Sequence, residues 1–207
     1  MKEIRIYVEG GGDANSKARL RIAFSRFLGP LHDAAREKRI GWRVIACGSR
    51  SDTFTSFRID LPRYRDALML LLVDAEGPVT GGPAEHITHT DGAARDLAAV
   101  PDEQIHLMVE AMEAWIAADP PALSRYYGQG FQTSALPRHK NIEKVPKQDL
   151  FAALDNATRG TQKGRYHKIH HAPELLESVA SGTVRKRAPH CDRLFLALEE
   201  ALAAGDE

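Results

Sequence analysis

The seven residues from Ala67 to Val73, "ALMLLLV", constrain the fold more than any other stretch. A strand with one face in water alternates apolar and polar residues. A run with no alternation predicts a strand buried on both faces, the setting of a central strand in a parallel sheet. Such a sheet needs helices above and below it. The run is also the longest tight apolar stretch, and it falls well short of the roughly 18 residues that span a bilayer. No transmembrane segment is expected.

The rest of the chain supplies the partners that this strand needs. "EIRIYV", Glu3 to Val8, alternates and is β-rich, so it reads as a first strand. "WRVIACG", Trp42 to Gly48, and "QIHLMV", Gln104 to Val109, read as two more. Between the strands lie helical patterns. Ala14 to Leu28 carries Leu20, Ala23, Phe24 and Phe27 on one face, and Gly29-Pro30 is expected to stop it. "LHDAAREKRI" reads as a short polar helix. A further helix starts in "SRSDTFTSF", with Ser51 or Asp52 as its N-cap, and Pro62 should interrupt it or begin a new one. "PVTGGPAEHITHTDG" reads as a loop, and "EAMEAWIAAD" as one helix directly after the last strand. The expectation is a three-layer α/β/α domain with a mostly parallel central sheet over residues 1–120. Residues 121–207 carry helical patterns, "KQDLFAALDNAT", "APELLESV" and "CDRLFLALEEALAA", and little strand pattern. They form either a helical extension or helices wrapping the same sheet.

Composition narrows the class. The 207 residues are 43% hydrophobic and 27% charged, which fits a soluble globular chain with room for a core. Two cysteines, Cys47 and Cys191, and no CxxC argue against a disulfide framework or a Cys-rich zinc site. The N-terminus has charges where an export signal would have its apolar core, so a cytoplasmic protein is expected. Formal net charge is +0, yet Pro137 to Arg193 holds 12 Lys and Arg against 6 Asp and Glu. That local excess points to an anionic partner such as nucleic acid.

Three predicted strands end in carboxylates. The first ends at Glu9, the third at Asp74-Ala75-Glu76, and the fourth at Glu110 with Glu113 one helical turn on. In an open parallel sheet, ligands bind at the carboxyl ends of the strands. Acids gathered there repel one another unless a cation or a proton compensates. Mg²⁺ prefers such oxygen donors. In an extended chain Asp74 and Glu76 would point the same way and face one metal.

The glycines after Glu9 admit a second reading, as a phosphate cradle between strand and helix. "EGGGDANSKA" lacks both GxxxxGK[ST] and GxGxxG spacing, and Glu9 and Asp13 flank the glycines with the wrong charge for a bare pyrophosphate. A tight turn is the better reading. His167, His170, His171, His190 and Cys191 are possible zinc donors, but their spacing matches no strong finger pattern. No GxSxG occurs, and Cys47 has no identified base.

A strand ending in "VEGGGD", followed by a helix and a later strand ending in "VDAEG", resembles the Toprim arrangement of topoisomerases, primases and overcoming-lysogenization-defect nucleases. "LLLVDAEGPV", "HLMVEAMEAWIAAD" and "KGRYHKIHHAPELLESVASGTVRKRAPHCDRLFLAL" together resemble the bacterial domain-of-unknown-function 4276 family over nearly the whole chain. The resemblance implies a Toprim-like fold and an ATPase partner in a prokaryotic defence-type system. Where the Toprim pattern has Asp-x-Asp, this chain has Asp74-x-Glu76.

The expected activity is a metal-dependent phosphodiesterase or nuclease. Glu9, Asp74, Glu76 and Glu113 (or Glu110) would hold Mg²⁺ or Mn²⁺, with Glu9 as an alternative general base. Lys168 would stabilise transition-state charge. Lys163, Arg165, His167, Lys168, His171, Arg185 and Arg187 would face the nucleic acid, and Tyr166 would stack on a base or serve in packing. The alternative is a non-catalytic subunit that binds nucleic acid or a partner through a degenerate site.

Overall fold

The computed structural model describes residues 1–92, 97 and 100–204. Four strands form one sheet: β1 (Glu3–Glu9), β2 (Gly41–Gly48), β3 (Ala67–Asp74) and β4 (Ile105–Met108). Their order is β2-β1-β3-β4 and every pairing is parallel. The architecture is therefore α/β, with helices on both faces of a parallel sheet. β3 is central, and its apolar run is buried on both sides. Leu70 and Leu72 belong to one core, and Met69, Leu71 and Val73 to the other. β1 divides the same way, with Ile4, Ile6 and Val8 on one face and Tyr7 on the opposite face.

Ten α-helices are described. α1 (Ala14–Phe27), α2 (Gly29–Glu37), α3 (Arg50–Asp60) and α4 (Pro83–Asp91) belong to the first half. α5 (Glu113–Ala117), α6 (Pro120–Tyr127), α7 (Lys147–Thr158), α8 (Lys168–Ser178), α9 (Ser181–Arg185) and α10 (Pro189–Ala203) follow. The smaller core takes Phe54 and Phe57 from α3 and Ile87 from α4. The larger core takes Leu20, Phe24 and Phe27 from α1 together with residues of α2 and α5 to α10. Phe27 stacks on Trp115 at 5.6 Å and meets Phe195 edge-on at 5.7 Å, joining both halves of the chain in one aromatic cluster. Residues on either side of Pro120 share this core.

Several boundaries differ from the sequence expectation, each for a local reason. Gly29-Pro30 starts α2 instead of only stopping α1, because proline costs no hydrogen bond in a first helical turn. α4 likewise starts at Pro83, inside the stretch read as loop. The cap of α3 is Ser49, not Ser51 or Asp52. Its hydroxyl accepts from Asp52 N and Asp52 answers with its carboxylate, a reciprocal capping box. "EAMEAWIAAD" is not one helix: α5 ends at Ala117, and Asp119 caps α6 by accepting from Ala122 N at 3.2 Å. Among the described residues no helix is long and apolar enough to cross a membrane.

Candidate functional site

β1 and β3 are neighbours in register, Val8 opposite Leu72, so Glu9 and Asp74 leave the sheet side by side at its carboxyl edge. The chain turns at once after Glu9. Gly10 and Gly11 have φ of 126° and 81°, a region that side chains disfavour. Gly10 and Gly48 exchange backbone hydrogen bonds at 2.8 and 3.0 Å, tying this turn to the end of β2. A Cβ on Gly10 would lie 2.8 Å from Leu20 Cδ2, and one on Gly11 2.8 Å from Lys17 Cα. The glycines thus let the turn press against α1, and Asp13 caps that helix by accepting from Ser16 N at 2.8 Å.

Asp74 joins three elements. Its Oδ1 accepts from Met112 N at 2.9 Å, just before α5, and its Oδ2 lies 3.2 Å from Lys168 Nζ at the start of α8. Glu9 Oε2 accepts from Asp74 N at 3.3 Å and from Arg50 Nη1 at 3.0 Å. Arg50 also grips both Asp91 oxygens through Nε at 2.9 Å, so one guanidinium ties the Glu9 carboxylate to the start of α3 and the end of α4. Lys168 Nζ stands 3.8 Å from Glu113 Oε2, and the Tyr166 hydroxyl donates to Glu113 Oε1 at 2.9 Å. Glu113 has no exposed side-chain surface, and its Oε2 is a buried oxygen without a hydrogen bond.

The electrostatics follow from this crowding. Burial, then the Asp74 charge, raises Glu9 above the ordinary carboxylate value, against the pull of Arg50. Burial also raises Glu113, opposed by Lys168 and assisted by Asp74. Burial pulls the Lys168 ammonium down, but Asp74 and Glu113 outweigh it and hold the group above its usual range. Burial and the Glu113 charge push the Tyr166 phenol well up. Glu9, Asp74 and Lys168 share the wall of a cavity of about 180 Å³, closed on one side by Gly10 to Gly12.

The expected ligand set is only partly assembled. Glu76 leaves the Asp74 alternation because β3 ends at Asp74 and Glu76 adopts φ 64°. Its carboxylate turns to Lys147 Nζ at 2.6 Å and lines a neighbouring hollow instead of this cavity. Glu110 is committed elsewhere: its Oε2 accepts from Lys147 N at 2.8 Å, at the start of α7. Glu113 reaches the site, but beneath Lys168 and out of contact with solvent. Among the described residues no group of three or more His, Cys, Asp or Glu side chains is arranged to hold a metal.

A divalent cation still fits a narrower mode. Four acids, Glu9, Asp74, Asp91 and Glu113, are paired with two cations, Arg50 and Lys168. The crowding around Asp74 adds to the burial that raises Glu9 and Glu113. Mg²⁺ is commonly held by one or two carboxylates, with waters and substrate phosphates supplying the rest. Glu9 and Asp74 are two such carboxylates on one cavity wall.

The basic segment divides into exposed and committed residues. Lys163 is exposed, its Nζ 4.4 Å from the centre of the Tyr126 ring. His167 is exposed beside His170, and Arg165 is exposed but paired with Asp155. His171 turns inward and meets the Tyr127 hydroxyl at 3.0 Å. Arg185 is held by Asp192 and Glu199. Arg187 donates to the carbonyls of Ala118 and His139 at 2.9 Å and of Pro137 at 3.2 Å. Arg187 is thus spent inside the fold, because a buried carbonyl without a donor is costly, while Arg185 is committed to its two carboxylates. Tyr166 is a packing and hydrogen-bonding residue beneath the site.

Sequence reasoning missed Arg50 and Asp91. Arg50 stands two residues past β2, the fourth strand end at the same sheet edge. Acids at strand ends require a nearby cation, and a basic residue just past a strand is the sequence signal for one.

The family model described as a domain of unknown function (DUF4276) matches residues 8–199, a span that holds every residue of the cavity wall. No curated protein and no solved structure matches the chain.

Proposed function

The chain belongs to the DUF4276 family, whose description names no activity, and from that premise we propose that it is a metal-dependent phosphodiesterase acting on nucleic acid. One observation carries the reading: Glu9 and Asp74 share a cavity wall at the carboxyl edge of a parallel sheet, with Lys168 reaching Asp74 from the far side.

Glu9 and Asp74 would hold Mg²⁺ or Mn²⁺, which supplies polarisation of the phosphodiester and a more acidic attacking water. The chain's own groups do the remaining work. Arg50 fixes the Glu9 carboxylate against the sheet. Glu113, buried and hydrogen-bonded by Tyr166, positions the Lys168 ammonium. Lys168 stays protonated and neutralises charge that develops on the phosphoryl oxygens. Lys163, Arg165 and His167, all exposed, would contact the phosphate backbone. The Toprim-like relationship and the ATPase partner implied by the sequence resemblance belong to this proposal as well.

Cleavage of end-labelled DNA and RNA in Mn²⁺ tests it. Wild type should cleave, Glu9→Gln and Asp74→Asn should abolish cleavage, and Lys168→Met should slow it about 10²–10³-fold. Cleavage left unchanged by both carboxylate substitutions would refute the proposal. One observation favours a second reading, a binding subunit without catalysis: Glu76 is paired with Lys147 instead of joining Glu9 and Asp74. Nucleic-acid binding with no cleavage in any divalent metal would select it.

A further inference from the structure

The cavity beside Glu9 and Asp74 has more apolar wall than metal chemistry uses. Leu20 comes from α1, Met108 and Met112 from the end of β4 and the start of α5, and Ile169, Ala172 and Pro173 from α8. Ile169 follows Lys168 directly and is 57% exposed, a large apolar side chain left in water at the rim. Gly12 lines the same cavity, and a Cβ there would meet nothing within 4 Å.

Size and chemistry together select an occupant. A cavity of about 150 Å³ lined by aliphatic side chains takes up a benzene-sized ring, and this one measures about 180 Å³. It accommodates one planar heterocycle, not a stacked pair. A phosphate joined to that ring would meet the Lys168 ammonium, and a cation held by Glu9 and Asp74, on the polar wall. A base within a duplex has both faces stacked and its pairing edge engaged, so it enters a pocket only after rotating out. Among the described residues lining the cavity none is aromatic, so a ring seated there would be held by Leu, Met, Ile and Pro contacts, which do not distinguish one base from another.

We propose that this cavity is a subsite for one unpaired nucleobase, which makes single-stranded or frayed nucleic acid the substrate class in preference to continuous duplex. The adjoining phosphate position rests on the phosphodiesterase reading; the base position rests on the cavity alone.

An oligonucleotide with one 2-aminopurine, free or annealed to its complement, is the probe, with Ca²⁺ in place of Mg²⁺. Wild type should raise the fluorescence of the single strand and leave the duplex unchanged. Gly12→Val and Ile169→Asp should each weaken single-strand affinity about tenfold without lowering the melting temperature. Gly12 has open space for a side chain and Ile169 is already in solvent, so both variants retain the fold. Equal affinity for duplex, or no effect of either substitution, would overturn the subsite. If cleavage depends on Glu9 and Asp74 but these variants bind normally, the subsite fails and the phosphodiesterase stands. If the variants weaken binding but wild type never cleaves, the subsite stands and the catalytic reading fails.

Discussion

Lys168 holds Asp74 at 3.2 Å and Glu113 at 3.8 Å, linking the sheet edge to the buried acid behind it. Glu113 is the more telling partner because its charge has no solvent. Its folded pKa lies above the ordinary 4.5, through burial first and Asp74 second. A raised acid holds its proton longer in the folded state than in the unfolded one. Its contribution to stability is therefore greatest below 4.5 and declines as pH rises through the folded value. Glu113→Gln has no such dependence. Urea denaturation of both proteins at pH 4.5 and 7.5 should show the variant gaining on wild type at the higher pH. An identical stability difference at both values would remove the claim that Glu113 is a strained buried acid. At this scale the sequence showed which acids follow strands and singled out Lys168 in a basic run. It did not show that Glu113 lies beneath Lys168, because that depends on Tyr166, 53 positions away.

At the scale of elements, the glycine turn and the Asp74–Glu76 turn behave oppositely. The first was legible: three glycines after a strand predict a turn, and Gly10 and Gly11 indeed hold positive φ. Gly11→Ala should destabilise by about 1–3 kcal/mol, because it combines strain with a Cβ only 2.8 Å from Lys17. Gly12→Ala should stay within about 0.5 kcal/mol of wild type, since nothing lies near its Cβ. Chemical denaturation of the pair checks both, and equal losses would mean that the turn is not packed as described. The second turn was not legible. Strand alternation placed Glu76 beside Asp74, but the strand ends at Asp74, and Lys147 draws the Glu76 side chain away. Alternation holds only while the chain stays extended.

For the whole molecule, the run "ALMLLLV" specified a central strand, and the cores on its two faces explain why no residue in it is polar. The excess of basic residues in the second half was a less direct guide. Part of it serves the fold, as Arg187 shows by binding three backbone carbonyls at 3.2 Å or less. Arg187→Ala should therefore cost about 2–3 kcal/mol in thermal or urea denaturation. A change below about 0.5 kcal/mol would return Arg187 to the surface role first expected of it. Net charge by segment counts such residues with the exposed ones, and only tertiary contacts separate them.

The central claim is that Glu9 and Asp74 together form a divalent-cation site. Calorimetric titration of Mn²⁺ into wild type, Glu9→Gln and Asp74→Asn tests it most directly. The account predicts saturable binding to wild type, strengthened by a single-stranded oligonucleotide and lost in both variants. Absence of binding to wild type with the oligonucleotide present, or binding unchanged in both variants, would contradict it.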